Sequence, residues 1–399
     1  MIKISHIVLP DSGADLLRRE LAYAFSSAGF RVSGVRPEAF QGDGASASLH
    51  RLADSGPFLL FSVNFQGLGN LRQILDTLVR IGGSVAVWFV DNPWNILAGV
   101  RDPRWKSLPL FVTDKSFIEP LQAHGAASVR HLPLAACFEL FGKERQKELP
   151  LPGELAPFVF VGRSAFPGKE QFFSSQTMPG DLFHRAQVML PAGGRPDLRW
   201  WEKELDRSTN LWPGKRARLP ALGAENANLV WRSLCLDAAA RVGLRLCGDR
   251  RKRAGLDLFG DAAWQRELPA GVRLSPPVDY YVRLPGIYAA TRYTLSLTSM
   301  QLPEGLNQRH FDVWAAGGVC FSDATPGLDI FPEELTRPVR FHRPSDMEDI
   351  VQRLEEPHVR SDLVSDWQRL LRERHSYAHR VESILEALEH EHGVRAVSR

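Results

Sequence analysis

Residues 293–323 read YTLSLTSMQLPEGLNQRHFDVWAAGGVCFSD, and this stretch decides the fold. YTLSLTS is a short run of apolar and β-branched residues, the composition of a strand buried on both faces. Proline and glycine punctuate the loop that follows, a helix is expected from about Asn307 to Ala316, and VCFSD returns as a second strand. Strand, helix, strand in that order is a β-α-β unit of a parallel sheet.

The same pattern extends in both directions. Through the first 150 residues, short apolar runs alternate with amphipathic segments: HIVLP, LLRRELAYAFSSAG, FLLFSV, LRQILDTLVRIGG, SVAVWFV, PLFVTD, FIEPLQAHG and VRHLPL. In the first predicted helix Asp11 or Ser12 caps the start, Leu17, Leu21, Ala24 and Ala28 share a face, and Gly29 stops it. ELPLPGELAP (148–157) reads as a linker ahead of a new buried strand, FVFVG. A tryptophan-rich, basic stretch from about 170 to 222 interrupts the pattern, which resumes with DLFGD, VRLSPP, YTLSLTS, VCFSD and RPVRFH. Three helical stretches from 345 to 392 close the chain, the first opened by a capping box from Ser345 to Glu348. The expectation is an α/β chain with two Rossmann-like parallel-sheet domains facing a central cleft. Its parts are an N-terminal domain over 1–150, a second domain over 151–375 with a helical insertion at about 164–222, and a C-terminal helix over 376–399.

The 399 residues are too many for one ordinary core, and 44% hydrophobic with 24% charged residues is soluble globular composition. A net charge of +3 gives no whole-protein electrostatic case for nucleic acid. Cys137, Cys235, Cys247 and Cys320 contain no C-x-x-C pair, which fits neither a zinc site nor a disulfide framework and points to a reducing cytoplasm. The opening MIKISHIVLPDSG holds too short an apolar run for a signal peptide, and no stretch approaches the ~18 apolar residues of a membrane span, so no integral membrane segment is expected.

Doubly wound sheets bind nucleotides in loops beyond the carboxyl ends of their strands. In the loop after YTLSLTS, Glu304 and Asp312 are separated by seven residues, with Gly305 directly after the first acid, and both are expected to face the cleft. A carboxylate accepts two hydrogen bonds from a ribose diol, while a helix N-terminus and bare glycine backbone favour phosphate or sugar oxygens. The strand FVFVG runs into VGRSAFPGKE, placing Arg163 and Lys169 in a loop where two cations suit a diphosphate leaving group. In the first half, Asp91 ends SVAVWFV ahead of Asn92, Pro93 and Trp94, with Asn64 after FLLFSV as its companion. Asp91 either acts on acceptor or donor sugar or caps the following turn. Gly13 either lets backbone approach a phosphate or sugar or simply suits a turn.

No two aspartates lie two residues apart, so the metal-binding D-x-D is missing and neither metal nor cofactor is expected. GDGASA (42–47) is the nearest approach to a dinucleotide fingerprint and reads as a turn. His6, His131 and His310 read as packing or surface histidines, and RRKR (250–253) and GKRAR (214–218) as solvated loops, or else as contacts for an acidic acceptor, a membrane surface or nucleic acid. Trp200, Trp201, Trp212, Trp231 and Trp264 read as core, or in part as stacking surfaces for an acceptor sugar.

G-R-x5-K after the first strand of the second half, followed by E-G and an acid eight residues beyond the Glu, resembles the retaining family-four glycosyltransferases. VAVWFVDNPWN, VTDKSFIEPLQAHGAASVRHLPLAA, LFGDAAW and LNQRHFDVWAAGGVCFSDATPGLDIFPEEL resemble the spore-maturation, CgeB-like glycosyltransferases of bacteria. The resemblance implies the GT-B fold, with 1–150 as the acceptor-side domain and 151–375 as the donor domain, and a nucleotide-sugar donor whose diphosphate is held by Arg163 and Lys169, whose sugar meets Glu304 and whose ribose meets Asp312. Gly305, Leu306 and Asn307 would offer backbone contacts, Arg309 and Gly317 fit the CgeB-like pattern, and Arg309 is either a phosphate partner or a helix-surface charge. Asp312 stands where the family-four pattern usually has Glu. It further implies transfer with retention to a glycan or protein acceptor, the leaving phosphate helping to deprotonate it. An inverting reaction would need a base, for which Asp91 is the candidate. The alternatives are a non-catalytic scaffold in surface or flagellar assembly and a sugar-nucleotide epimerase.

Overall fold

The computed structural model describes residues 2–13, 16–42, 44–146, 153–166, 168–205, 217–247, 254–266, 268–392 and 394–396. The RRKR run and Trp212 lie outside the described residues, as do parts of GKRAR and of the stretch 148–157.

The chain divides into two compact units. Unit 1 comprises Met1–Ala135 and His375–Arg399, and unit 2 comprises Ala136–Asn210 and Lys215–Arg374. The division falls ahead of the stretch at 148–157, and the last helix belongs with unit 1. In unit 1 the strands are β1 (Ile2–Ile4), β2 (His6–Pro10), β3 (Arg31–Val35), β4 (Phe58–Val63), β5 (Ser84–Phe89), β6 (Pro109–Val112) and β7 (Ser128–His131). Unit 2 contributes β8 (Phe158–Val161), β9 (Leu256–Phe259), β10 (Val272–Ser275), β11 (Tyr293–Ser296), β12 (Cys320–Asp323) and β13 (Arg340–Phe341), and β14 (Val394–Ala396) returns to unit 1.

Each unit holds one six-stranded sheet, ordered β3-β2-β4-β5-β6-β7 in the first and β10-β9-β8-β11-β12-β13 in the second. Every pairing in both is parallel. The order in unit 2 is that of a Rossmann sheet, whose strand order reverses between β8 and β11. Residues 58–62 of β4 and 85–89 of β5 are buried without interruption, as strands covered by helices on both faces must be. The expected α/β class with two parallel-sheet domains is borne out.

Local details differ from expectation. The helix Arg18–Ser27 begins at Leu17 in a left-handed conformation with no side-chain cap; Asp11 instead accepts from Gly13 N and pairs with Arg18. Phe25 rather than Ala28 completes its buried face. GDGASA does not stay a turn, because Gly44 opens the helix Gly44–Ala53. The expected Ser345–Glu348 box is replaced by Asp346, whose carboxylate accepts from His342 N and Arg343 N because a 3-10 turn starts at Pro344. The helices Met347–Arg353, Pro357–Arg374 and Tyr377–His392 match the three expected at the end of the chain. Between 168 and 205 the interruption is helical, with Lys169–Phe172, Gly180–Met189 and Leu198–Glu204. No helix among the described residues is long and apolar enough to cross a membrane, and the four cysteines are free.

The 29-residue helix Arg218–Leu246 carries the chain from β8 to β9, and near its end it meets the sheet backbone to backbone. A Cβ on Gly243 would strike the carbonyl of Gly255, and one on Gly255 the carbonyl of Ala240. Neither neighbour is a flexible side-chain tip that moves aside. Gly243→Val is therefore expected to cost about 1–3 kcal/mol by overpacking, read as a lower urea midpoint at unchanged slope.

Candidate functional site

In unit 2 the loops after β8 and β11 flank the reversal of strand order, the place where doubly wound sheets bind ligands. Two segments far apart in the chain are joined there by Arg309. Its Nη1 donates to the carbonyl of Val161 at 2.7 Å, its Nη2 to that of Leu297 at 3.4 Å, and its guanidinium lies 5.4 Å from the centre of the Phe160 ring. Arg309 is thus a strut between the ends of β8 and β11 rather than a helix-surface charge. Asn307 fixes the start of the helix Arg309–Ala316: its Oδ1 accepts from Ser296 Oγ and Arg309 N, and its Nδ2 donates to the carbonyl of Leu297. Leu306 packs inward, leaving only its backbone for a ligand.

The two acids of this loop have different surroundings. Glu304 is 17% exposed and takes a hydrogen bond of 2.8 Å from Arg199 of the Leu198–Glu204 helix. Behind it the backbone of Gly327 approaches so closely that a Cβ there would strike the Glu304 carbonyl. Asp312 is fully buried. Its Oδ1 accepts from Gln308 Nε2 at 2.7 Å and its Oδ2 from the Tyr280 hydroxyl. Both acids were expected to face the cleft; the Asp312 carboxylate is buried behind Tyr280.

Of the two cations expected in the loop after β8, the Arg163 side chain is exposed, while its backbone carbonyl accepts from Arg232 Nη1 at 3.0 Å. Lys169 is half-buried. Burial lowers its pKa, the carboxylates of Glu225 and Glu170 raise it, and the Arg232 charge lowers it.

Sequence reasoning passed over Asp323, the last residue of β12, which is fully buried. It accepts from Arg195 Nη1 at 2.9 Å, Trp231 Nε1 at 2.9 Å and Thr298 N at 2.8 Å. An acid at the carboxyl end of a buried strand was the signal that singled out Asp91, and it applied here too. Trp231 and Trp264 are core residues whose indole N–H groups find the Asp323 carboxylate and the Gly162 carbonyl. His310 is buried, with Nε2 at 2.8 Å from Ser322 Oγ and its pKa lowered by burial to about 4, a packing histidine as expected.

In unit 1, Asn64 and Phe65 follow β4 with φ of 51° and 62°. Two successive non-glycine residues in the left-handed region store strain. Asn64 is held there by its own amide: Oδ1 accepts from Val90 N at 2.9 Å and Nδ2 donates to Asp91 Oδ2 at 2.7 Å. The Asp91 carboxyl, partly open to solvent, has its pKa raised by desolvation and lowered by the Asn64 hydrogen bond, the first effect being larger. The turn after Asp91 is capped by Asn92, which accepts from Trp94 N. Gly13 has φ of 85° and donates its N–H to Asp11 Oδ1, so a turn alone accounts for the glycine.

Residues 232–386 match a family model described as glycosyl transferase-like. Comparison with curated proteins gives no match. Among solved structures, the chain is similar to HepE of Anabaena, solved in complex with UDP, at 12% identity and a TM-score of 0.53, covering 97% of this chain and 100% of that one. It is also similar to an α,α-trehalose-phosphate synthase (UDP-forming) of Burkholderia xenovorans, solved in complex with glucose-6-phosphate, at 9% identity and a TM-score of 0.53, covering 96% and 99%. An α,α-trehalose 6-phosphate synthase of Burkholderia multivorans aligns at 9% identity and a TM-score of 0.50, covering 96% of each chain. The architecture is the GT-B fold of glycosyltransferases.

Replacing Asn64 by Ala removes the one hydrogen bond that lowers the Asp91 pKa and leaves desolvation unopposed. Asp91 should then titrate at higher pH than in the parent, followed by carbon-13 NMR of the aspartate carboxyls. A titration unmoved by the substitution refutes the clamp.

Proposed function

We propose that the chain transfers a sugar from a nucleotide-sugar donor to a glycan or protein acceptor, with the donor held by unit 2. The observation that carries this reading is the Arg309 strut, which brings the end of the strand feeding the Arg163–Lys169 loop against the start of the loop bearing Glu304. Arg163 and Lys169 supply positive charge to a departing diphosphate without a metal ion. Glu304, oriented by Arg199, accepts hydroxyls of the transferred sugar. Asp312 meets the ribose through Tyr280 or after Tyr280 turns aside, while Gly305, Leu306 and Asn307 offer backbone groups to the donor. UDP in the HepE complex supports a nucleoside diphosphate as ligand.

The resemblance to CgeB-like and family-four enzymes supports transfer with retention, in which the leaving phosphate takes the acceptor proton and no protein base is needed. Asp91, with its raised pKa, is the base that an inverting reaction would require. NMR of the product anomer decides between them. Four free thiols support a reducing, cytoplasmic location.

A thermal-shift screen against UDP, GDP, TDP and their sugars tests the reading, since a ligand that binds only the folded chain raises its midpoint. At least one diphosphate should do so, and Arg163→Ala should weaken it by about tenfold, the loss of one charge-assisted contact. Glu304→Gln should lower turnover by roughly a hundredfold with a smaller effect on diphosphate affinity, because its contact is with the reacting sugar. No shift with any member of the panel, together with no donor hydrolysis, retires the transferase in favour of a scaffold.

A further inference from the structure

The helix Arg218–Leu246 is far longer than its crossover requires. Its 29 residues span roughly 44 Å at the α-helical rise, against about 13 Å for a four-residue strand. Its last turns lie where β9 begins, at Gly255, so its first half overhangs the carboxyl edge of the sheet, where Trp231 and Arg232 reach Asp323 and the Arg163 carbonyl. Along this overhang Glu225, Asn228 and Arg232 follow at intervals of three and four, which places them on one face.

Glu225 is 5% exposed and Asn228 1%. Buried polar atoms are nearly always hydrogen-bonded, yet Asn228 Oδ1 and Arg232 Nε have no partner among the described residues. The Glu225 carboxylate raises the pKa of both Lys169 and Arg232, against burial, which lowers them. The helix therefore presents a row of donors and acceptors, buried at Glu225 and Asn228 and half-buried at Arg232, with Arg232 against the loop of Arg163 and two polar atoms of the row left unsatisfied.

We propose that this face of the helix is a second wall of the donor site: Arg232 is a further phosphate contact, Asn228 accepts a donor hydroxyl, and Glu225 is a positioning residue that holds the Lys169 ammonium toward the diphosphate. This assignment rests on the nucleotide-sugar reading above. Glu225 acts through Lys169, whose charged neighbours are Glu225, Glu170 and Arg232. Burial and Arg232 push the lysine pKa down while the two carboxylates push it up. Without the Glu225 charge, Lys169 loses its proton at lower pH, and anion affinity fades correspondingly sooner as pH rises.

Calorimetric titration of the full chain with UDP, GDP and TDP tests the assignment. Arg232→Gln should weaken the best-bound diphosphate by about tenfold or more, Asn228→Asp should weaken it through like-charge repulsion, and Glu225→Gln should shift the decline of affinity to lower pH. Parent-like affinity in a folded Arg232→Gln variant overturns the inference and leaves the function reading untouched. Should that variant not fold, parent-like affinity in Asn228→Asp with an unshifted pH profile in Glu225→Gln overturns it equally. A parent chain that binds none of the three diphosphates removes the function reading itself, and the inference with it.

Discussion

The carboxyl edge of unit 2 depends on the satisfaction of one buried charge. Asp323 has no solvent exposure, and a carboxylate in that position is tolerable only when its oxygens are matched by donors and a cation. The donors come from three places far apart in sequence: Arg195 from the interruption after β8, Trp231 from the long helix, and Thr298 from the loop after β11. Loss of Arg195 would leave the charge unpaired in a medium of low dielectric, and loss of either neutral donor would leave a carboxylate oxygen short of a hydrogen bond. The requirement therefore locks the loop after β11, the long helix and the helical interruption to the end of β12, and so holds the flanks of the candidate site in fixed relation.

Against that frame, charged residues separate into those already engaged in holding the structure and those with capacity to spare. Arg309 spends its guanidinium on the carbonyls of Val161 and Leu297, and Asp312 is closed over by Tyr280 and Gln308. The exposed Arg163 side chain and the half-buried Lys169 stand apart, because their loop is positioned by backbone contact: the Arg163 carbonyl takes Arg232. Unit 1 shows the same economy. Asn64 uses one amide to stabilise its own left-handed backbone and to orient Asp91, so strain that costs of order 1–3 kcal/mol is retained where it aims a titratable group.

Strands were legible wherever they were buried on both faces, since FLLFSV and SVAVWFV admit no other packing. β3 was not, because it lies at a sheet edge with mixed exposure and a glycine at 34, and its pattern has no clear period. The helix Gly44–Ala53 hid behind small residues that read equally well as a turn. In the site, strand ends revealed Asp91 and the residues of the loops after β8 and β11. The partners of those residues were not legible, because Arg199 lies 105 positions from Glu304 and Arg195 128 from Asp323. No local pattern records a bond of that span. Tyr280 was invisible for the same reason: whether the Asp312 carboxylate stands open or shut is decided 32 residues away.

The return of residues 375–399 to unit 1 governs the order in which the chain assembles on a ribosome. Tyr377 packs edge-on against Trp88, the helix Tyr377–His392 covers Arg18–Ser27, and β14 pairs with β1. Arg380 donates to the carbonyls of Pro133 and Leu134, which close the first pass through unit 1. Unit 1 is thus begun first and finished last, and its nascent sheet must wait with one flank uncovered while the whole of unit 2 is synthesised. That interval is when its apolar surface is open to chaperones or to aggregation, and a premature stop after residue 374 would release a complete second unit tied to an unfinished first.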